Sequence, residues 1–352
     1  MFTKLKNGNR LVLILLLLSA ALVFSLFLAS AVGVVSISLP EILRMALNKL
    51  AVFNLASTWR SVDETIIFQI RLPRVIGSAL VGAALATAGV LFQGLLRNPM
   101  ADPYIIGTSA GAALGATIAM ILPVSLSFLG FGLIPVAAFI GALTTVIIVY
   151  NLARVGSKTP IISMLLAGFV VSALLAAIVA FIMSISEKFD LDIRVIYSFL
   201  MGHISVSSWE QIVVIAPLII GGIIGASLFA FRLNAFSLGE EGAAYLGVDV
   251  ERDKILIMAL GSLLTAGAVS ISGLIGFVGL VMPHAVRLSI GPDHRLLLPA
   301  SALGGAIFVV IADLFARTLL APAEIPVGII TALIGAPFFL YLLRYSRKEY
   351  AF

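Results

Sequence analysis

Runs of about 20 apolar residues recur along almost the whole chain and are separated by short polar connections. A helix needs roughly 20 such residues to cross the hydrocarbon core of a bilayer, which is about 30 Å thick. Of the 352 residues, 61% are hydrophobic and 11% are charged, whereas a typical soluble domain has about 25% charged residues. The runs therefore predict an all-α polytopic membrane protein.

About ten membrane spans fit into the chain. They are predicted near residues 11–33, 73–96, 104–122, 132–152, 161–184, 211–231, 255–273, 275–290, 299–320 and 328–344. The eighth span is short and contains Pro283, which predicts a kinked helix that reaches only part of the way across. The first run is longer than the apolar region of a signal peptide, about 7–15 residues, so we interpret it as a retained span.

Basic residues flank these runs unevenly and predict the orientation of the chain. With the N-terminus in the cytoplasm, fourteen Lys and Arg residues fall inside, Arg347 and Lys348 among them, and eight fall outside, including Lys188. Cytoplasmic connections carry an excess of Lys and Arg. The bias therefore predicts that both termini are cytoplasmic and that the number of spans is even.

Composition also excludes several classes of function. The chain has no cysteine, so disulfides, thiolate metal sites and cysteine nucleophiles are excluded. The three histidines are predicted on opposite sides of the membrane, so we expect no metal site. The nearest match to a phosphate-binding loop, VGSKT at 155–159, has Ser157 where the second glycine is required. We therefore expect no ATP hydrolysis by this chain.

One connection is unusually charged for such an apolar chain. Residues 236–254 read FSLGEEGAAYLGVDVERDK and carry seven charges in nineteen residues, on the predicted cytoplasmic side. The string EEGAAYLG predicts about two helical turns, with acids in the first turn and Gly247 at the C-cap. A short helix of this kind is suited to docking on a soluble partner. An ordinary solvated connection is the alternative.

Four long segments, in order, carry a resemblance that covers nearly the whole chain. They are QIRLPRVIGSALVGAALATAGVLFQGLLRNPMADPYIIGTSAGA, LLAGF, GLIGFVGLVMPHAVRLSIGPDHRLLLPASALGGAIFVVIADLFAR and EIPVGIITALIGAPFF. With these segments the chain resembles the FecCD/BtuC-type permease subunits of binding-protein-dependent ABC importers, a family that takes up iron–siderophore complexes, haem and vitamin B12.

The resemblance implies a type II ABC importer permease fold in the cytoplasmic or inner membrane of a prokaryote, with the chain 1–352 as one transmembrane domain. It implies a homodimer of permease subunits, two cytoplasmic ATPase subunits that bind ATP and Mg, and one extracytoplasmic substrate-binding protein. The chain itself would hold no cofactor, contact membrane lipid and bind no nucleic acid. Iron–siderophore is the commonest substrate of the family; cobalamin, haem and molybdate remain alternatives.

The resemblance also implies a cytoplasmic coupling loop at about 234–254, through which the ATPase acts on the permease. The residues carried over are Glu240, Glu241, Gly242, Ala243, Ala244, Tyr245, Leu246 and Gly247. Gly242 occupies a position where the general pattern tends to have alanine. The glycine weakens the short helix by roughly 1 kcal/mol.

Three arginines are implied to dock the binding protein on the outer face: Arg71, Arg74 and Arg317. Pro73 suits the first turn of a helix, where its missing N–H costs nothing. Arginine suits docking because its planar fork holds a carboxylate with two bonds. The alternative is that Arg71 and Arg74 extend to lipid headgroups.

Asp313 is the one acid placed well inside a predicted span. An intramembrane carboxylate suggests an ion relay, but Arg317 lies one helical turn further on and can pair with it at i,i+4. An ion-coupled secondary transporter would need more such charges. We therefore interpret Asp313 and Arg317 as a structural ion pair. His203, in the predicted outer connection, is either a haem contact or a solvent-facing residue.

Two further predictions concern the connection at residues 97–104, RNPMADPY. Asp102 is predicted to N-cap the third span, with Pro103 in its first position. Thr108 and Ser109, just beyond, are candidates for an inner gate. Small residues four apart, Gly107, Gly111 and Gly115 in the third span and Ser78, Gly82 and Ala86 in the second, predict close helix packing.

Overall fold

The computed structural model describes residues 2–33, 37–49, 59–124, 127–186 and 192–345. The helices are α1 (Phe2–Ala31), α2 (Leu39–Lys49), α3 (Ser61–Thr65), α4 (Leu72–Leu95), α5 (Thr108–Ile121), α6 (Leu133–Ala153), α7 (Ile161–Ser184), α8 (Ile193–Leu200), α9 (Trp209–Leu228), α10 (Ala230–Phe236), α11 (Glu240–Tyr245), α12 (Val250–Ser272), α13 (Val278–Ile290), α14 (His294–Thr318) and α15 (Val327–Tyr345). A π-helical segment, Ile66–Arg71, joins α3 to α4. Strands β1 (Ser127–Phe128) and β2 (Phe131–Gly132) form an antiparallel hairpin.

The predicted all-α membrane fold is confirmed. Seven helical stretches in the described part of the chain are long and apolar enough to span a membrane: Leu11–Ala31, Ser61–Leu95, Leu133–Ala153, Ile161–Ser184, Trp209–Leu228, Val250–Ser272 and His294–Thr318. Three shorter apolar helices are Thr108–Ile121, Val278–Ile290 and Val327–Tyr341. Each of these helices overlaps one predicted span. The orientation stays a prediction, and three of its basic residues, Lys188, Arg347 and Lys348, lie outside the described residues.

Helix α4 lies at the centre of the fold and packs against α9, α12, α13 and α14. Glycines make these contacts close. A Cβ on Gly82 would collide with the backbone of Gly305 in α14, and a Cβ on Gly89 would collide with the backbone of Gly279 in α13. Because lipid gives no hydrophobic drive between helices, such backbone contact is a main source of packing energy in a membrane.

Helix α13 is short, as its sequence predicts. Its 13 residues cover about 20 Å, less than the hydrocarbon core of about 30 Å. Pro283 has no N–H to donate to the carbonyl of Gly279, four residues earlier. The side chain of Gln93 in α4 compensates, since its Nε2 donates to Gly279 O over 3.2 Å.

The prediction that Asp102 caps the third span is wrong. Helix α5 begins at Thr108, after Gly107 with φ of 88°. Asp102 Oδ1 instead accepts the N–H of Tyr104 over 2.8 Å, which forms a local side-chain turn that competes with helix formation. Gly107 is therefore the N-cap of α5. Gly111 and Gly115 lie inside α5 and contact the backbone of α6.

Burial raises the pKa of Asp102 from 3.8 to about 6. The charged form thus destabilises the folded state above pH 6, and this penalty disappears as the pH falls toward 4. Asp102→Asn keeps the turn and removes the charge, so we expect it to melt at a higher temperature than the wild type at pH 8. The difference should close between pH 6 and 4 in thermal melts of the purified protein. If the difference in melting temperature did not depend on pH, the charge of Asp102 would not be what destabilises the fold.

Candidate functional site

The charged segment forms the short helix α11, which lies between two glycines of positive φ, Gly239 at 95° and Gly247 at 82°. At its C-terminus, the N–H of Gly247 donates to Ala244 O (2.9 Å) and the N–H of Val248 donates to Ala243 O (3.1 Å). These two bonds are those of a Schellman motif, which requires a left-handed residue at Gly247. The helix has six residues, slightly fewer than the predicted two turns.

The local packing explains why residue 242 is a glycine. A Cβ at Gly242 would lie 3.0 Å from Leu238 Cβ, a contact closer than ordinary van der Waals packing. The absence of the expected alanine therefore allows α11 to fold back tightly on the turn that precedes it.

Ionic contacts fix α11 to the membrane helices. Lys254 Nζ in α12 lies 2.8 Å from Glu240 Oε1 and 3.1 Å from Glu251 Oε1, and its side chain is buried. Glu251 Oε2 in turn accepts the N–H of Thr159, in the α6–α7 connection, over 2.9 Å. Ala243, on the inner face of α11, is fully buried. A force on α11 would thus be transmitted directly to α12.

The opposite face of α11 is open. Tyr245 is 91% exposed, and Leu246 and Leu238 are more than half exposed. Glu241, Ala244 and Gly247 are exposed as well. Of the predicted coupling residues, Glu240 and Ala243 thus attach the helix and Gly242 packs against Leu238. The exposed surface, which includes one aromatic side chain, is formed by Glu241, Ala244, Tyr245, Leu246 and Gly247. Such an exposed aromatic is typical of an interface anchor.

A second cluster lies near the predicted outer surface, where Arg74 of α4 meets Asp313 and Arg317 of α14 and Glu324 of the α14–α15 connection. We call these four residues the outer ion cluster. Arg74 Nε and Nη2 donate to Asp313 Oδ1 over 3.1 and 3.0 Å. Arg74 Nη1 and Nη2 donate to Glu324 Oε1 and Oε2, each over 2.9 Å.

The two other predicted docking arginines hold the C-terminal end of α1. Arg71 Nη1 donates to Ser30 O (3.0 Å) and Ala31 O (3.2 Å), and Arg317 Nη2 donates to Ala29 O (3.1 Å). Both guanidinium groups are buried. Cations at the last carbonyls of a helix stabilise it. Docking by Arg71 and Arg317 stays a prediction, and this structure gives both of them a second, structural task.

Arg317 Nε also lies 3.0 Å from Asp313 Oδ2, the i,i+4 pair expected from the sequence. The Nε–H bond of Arg317 points at the backbone carbonyl oxygen of Asp313, 3.4 Å away. Sequence reasoning missed that Asp313 also pairs with Arg74, and that Glu324 belongs to the cluster. The only available signal was Glu324 itself, an acid close to the end of a span.

Asp313 is completely buried and compensates two arginines. We expect Asp313→Asn to destabilise the fold by about 3–5 kcal/mol, because it leaves buried guanidinium charge without a counter-ion. Glu324→Gln, at the exposed end of the same cluster, should cost about 1 kcal/mol or less. Thermal melts in detergent test this order, and equal losses in the two variants would contradict it.

Glu324 and His203 respond differently to this environment. Burial alone would raise the pKa of Glu324, but the bonds from Arg74, with the nearby His203 and Arg317, hold it below its ordinary value. Burial, together with the charge of Arg74, lowers the pKa of His203. His203 lines a cavity of about 360 Å³ with Arg194, Phe199 and Ser205 among others. His203 is half-buried, and a haem contact stays an untested alternative to a solvent-facing role.

The candidate inner-gate residues lie at the start of α5. Thr108 is fully buried, and its hydroxyl donates to Pro103 O over 3.2 Å, so it stabilises the turn before the helix. Ser109 is half-buried. A gating role for either residue stays a prediction.

Comparison with known proteins decides what kind of protein carries these two sites. The sequence profile of the FecCD transport family matches residues 19–345. The chain belongs to the FecCD transport family. As a FecCD protein it is an ABC importer permease, and the resemblance seen in the sequence is confirmed.

Two FecCD relatives and one solved structure illustrate the similarity. The chain is 49% identical over 281 residues to the cobalamin import system permease protein BtuC of Halobacterium salinarum, covering 80% of this chain and 74% of that protein. It is 44% identical over 281 residues to the hemin transport system permease protein HmuU of Yersinia pestis, covering 80% and 83%. A solved structure described as an inward-facing conformation of a metal-chelate type ABC transporter aligns with a TM-score of 0.78 and 31% identity, covering 95% and 99%.

Proposed function

We propose that this FecCD permease, 1–352 as one domain, pairs with a second, identical permease subunit and moves a bulky metal chelate into the cytoplasm of a prokaryote. Two cytoplasmic ATPase subunits, which bind ATP and Mg, would drive the movement, and one extracytoplasmic binding protein would deliver the substrate. The observation that carries this proposal is α11, an exposed helix on a rigid ionic attachment.

The attachment matters because a coupling element has to transmit force. An isolated helix of six residues is unstable in water, yet α11 has a glycine-based cap and an ion pair to the buried Lys254. Its exposed face is therefore held in place before any partner arrives. A preorganised surface of this kind loses less entropy on binding than a flexible connection would.

The sequence of the 155–159 connection supports a separate ATPase. The required phosphate-binding loop has a glycine and a lysine whose backbone and side chain hold the phosphates together. In VGSKT the glycine is replaced by Ser157, and residues 155–158 form a tight turn with paired Val155 and Lys158. ATP hydrolysis on a partner chain is thus the simplest source of energy.

The substrate class is proposed from the relatives. The two relatives described above are named for cobalamin and hemin, and both of these are large metal chelates. Ferric siderophores, cobalamin and haem are therefore the substrates to compare, with molybdate as a smaller alternative.

Reconstituted transport tests the proposal. The permease is placed in liposomes with the ATPase encoded beside it, the matching binding protein is added on the opposite side, and uptake of radiolabelled ferric siderophore, cobalamin, haemin and molybdate is measured. We expect uptake of one metal chelate that requires both ATP and the binding protein. Uptake driven by an ion gradient without ATP would instead favour a secondary transporter.

A further inference from the structure

The fork of Arg74 is almost fully occupied within this chain. A guanidinium group has five N–H donors, and four hydrogen bonds from Arg74 reach Asp313 and Glu324 at 2.9–3.1 Å. Its side chain is 16% exposed. A carboxylate from another protein therefore cannot form two hydrogen bonds with this guanidinium group unless one of the two internal carboxylates leaves.

We propose that Glu324 occupies, in the undocked permease, the place on Arg74 that a carboxylate of the binding protein takes during docking. This inference rests on the proposed function, in which a binding protein docks at the outer face. Docking would then replace the Glu324 carboxylate on Arg74 by a carboxylate of the binding protein, and would not simply add a new ion pair.

Glu324 is the acid of the cluster that is able to leave. Its side chain is 38% exposed, whereas that of Asp313 is 1% exposed and also faces Arg317. Glu324 lies in the connection between α14 and α15, so it can turn away without disturbing a helix. An exposed ion pair also contributes little stability, so exchanging it requires little free energy.

Exchange keeps Arg74 paired at every stage. Asp313 stays on Arg74 but also pairs with Arg317, so loss of Glu324 alone would leave two largely buried guanidinium groups with one carboxylate. When Glu324 leaves as another carboxylate arrives, the charge of the cluster at Arg74 does not change. A surface without a well-placed acid could not displace Glu324, so the exchange also selects the partner by its chemistry.

The backbone links this exchange to α15. Only Ile325 and Pro326 separate Glu324 from Val327, the first residue of α15. The N–H of Ile325 donates to Ala316 O over 3.0 Å, and this bond holds the connection against α14. Release of Glu324 would therefore remove the side-chain contact to α4 just before α15, while this backbone bond stays in place.

Binding measurements on the full transporter in lipid nanodiscs test this inference, with the purified binding protein encoded beside the permease as the probe. Glu324→Gln removes the competing charge, so we expect its Kd to be about two- to fivefold lower than that of the wild type. Glu210→Gln removes the same charge from an exposed position on the predicted outer side. We expect it to leave Kd unchanged.

A third variant separates failure of the inference from failure of docking itself. Arg74→Gln should weaken binding by about tenfold or more. If Arg74→Gln weakens binding but Glu324→Gln leaves it unchanged or weaker, Glu324 only positions Arg74 and the exchange is refuted. If Arg74→Gln has no effect, docking does not use this cluster. Monodisperse elution and thermal melts confirm that each variant is folded. Glu324→Asp keeps the charge on a shorter side chain, so we expect its Kd to lie between those of the wild type and Glu324→Gln.

Discussion

We expect Tyr245→Asp to reduce ATP-driven uptake by roughly tenfold or more, while the permease stays folded. Tyr245 is 91% exposed, so its replacement removes little packing inside the chain. At an interface, however, a buried aromatic anchor commonly contributes about 2 kcal/mol or more. A new carboxylate close to Glu240 and Glu241 also adds like charge to the docking surface. Uptake into liposomes and co-purification of the ATPase measure the effect.

The matched control is Tyr245→Phe, which keeps the aromatic ring and loses only the hydroxyl group. We expect it to retain most of the uptake. Gly247→Val should also impair uptake, because a β-branched residue at φ of 82° is strained and disrupts the cap of α11. Full uptake and normal ATPase association in Tyr245→Asp would show that α11 is not the coupling contact.

Gly89→Val is expected to prevent folding of the permease. A Cβ at Gly89 would collide with backbone atoms of Gly279, and backbone cannot move aside as a flexible side chain can. The helices α4 and α13 would have to separate, with a loss of about 4 kcal/mol or more. The yield of monodisperse protein after detergent extraction, followed by thermal melting, gives the measurement.

Gly221→Val provides the control for this prediction. Gly221 is an exposed glycine of α9, and a Cβ built on it would have no described atom within 4 Å apart from its chain neighbours and the backbone of its own helix. The same substitution there should leave yield and melting temperature nearly unchanged. If Gly89→Val and Gly221→Val gave equal yields, the close contact between α4 and α13 would not be important for folding.

Much of the fold was predictable because its dominant signal is local. Each apolar run can form a helix that satisfies its own backbone hydrogen bonds in lipid, so each of the ten predicted spans overlaps an apolar helix, seven of them long enough to span a membrane. The cap of α11 was predictable for a similar reason, since Gly247 supplies a left-handed conformation that few other residues adopt. The start of α5 was mispredicted because two local signals compete there, and the Asp102 turn prevails over the cap.

The outer ion cluster shows what the sequence by itself left open. The sequence determined that Arg317 can reach Asp313, because four residues make one helical turn. It could not determine that Arg74 reaches Asp313 and Glu324, which lie 239 and 250 positions away along the chain. Those pairs depend on the tertiary packing of α4 against α14, where Gly82 and Gly305 bring the two backbones close together. Local hydrogen bonding and hydrophobicity thus determined the helices, and tertiary packing alone decided which charges meet.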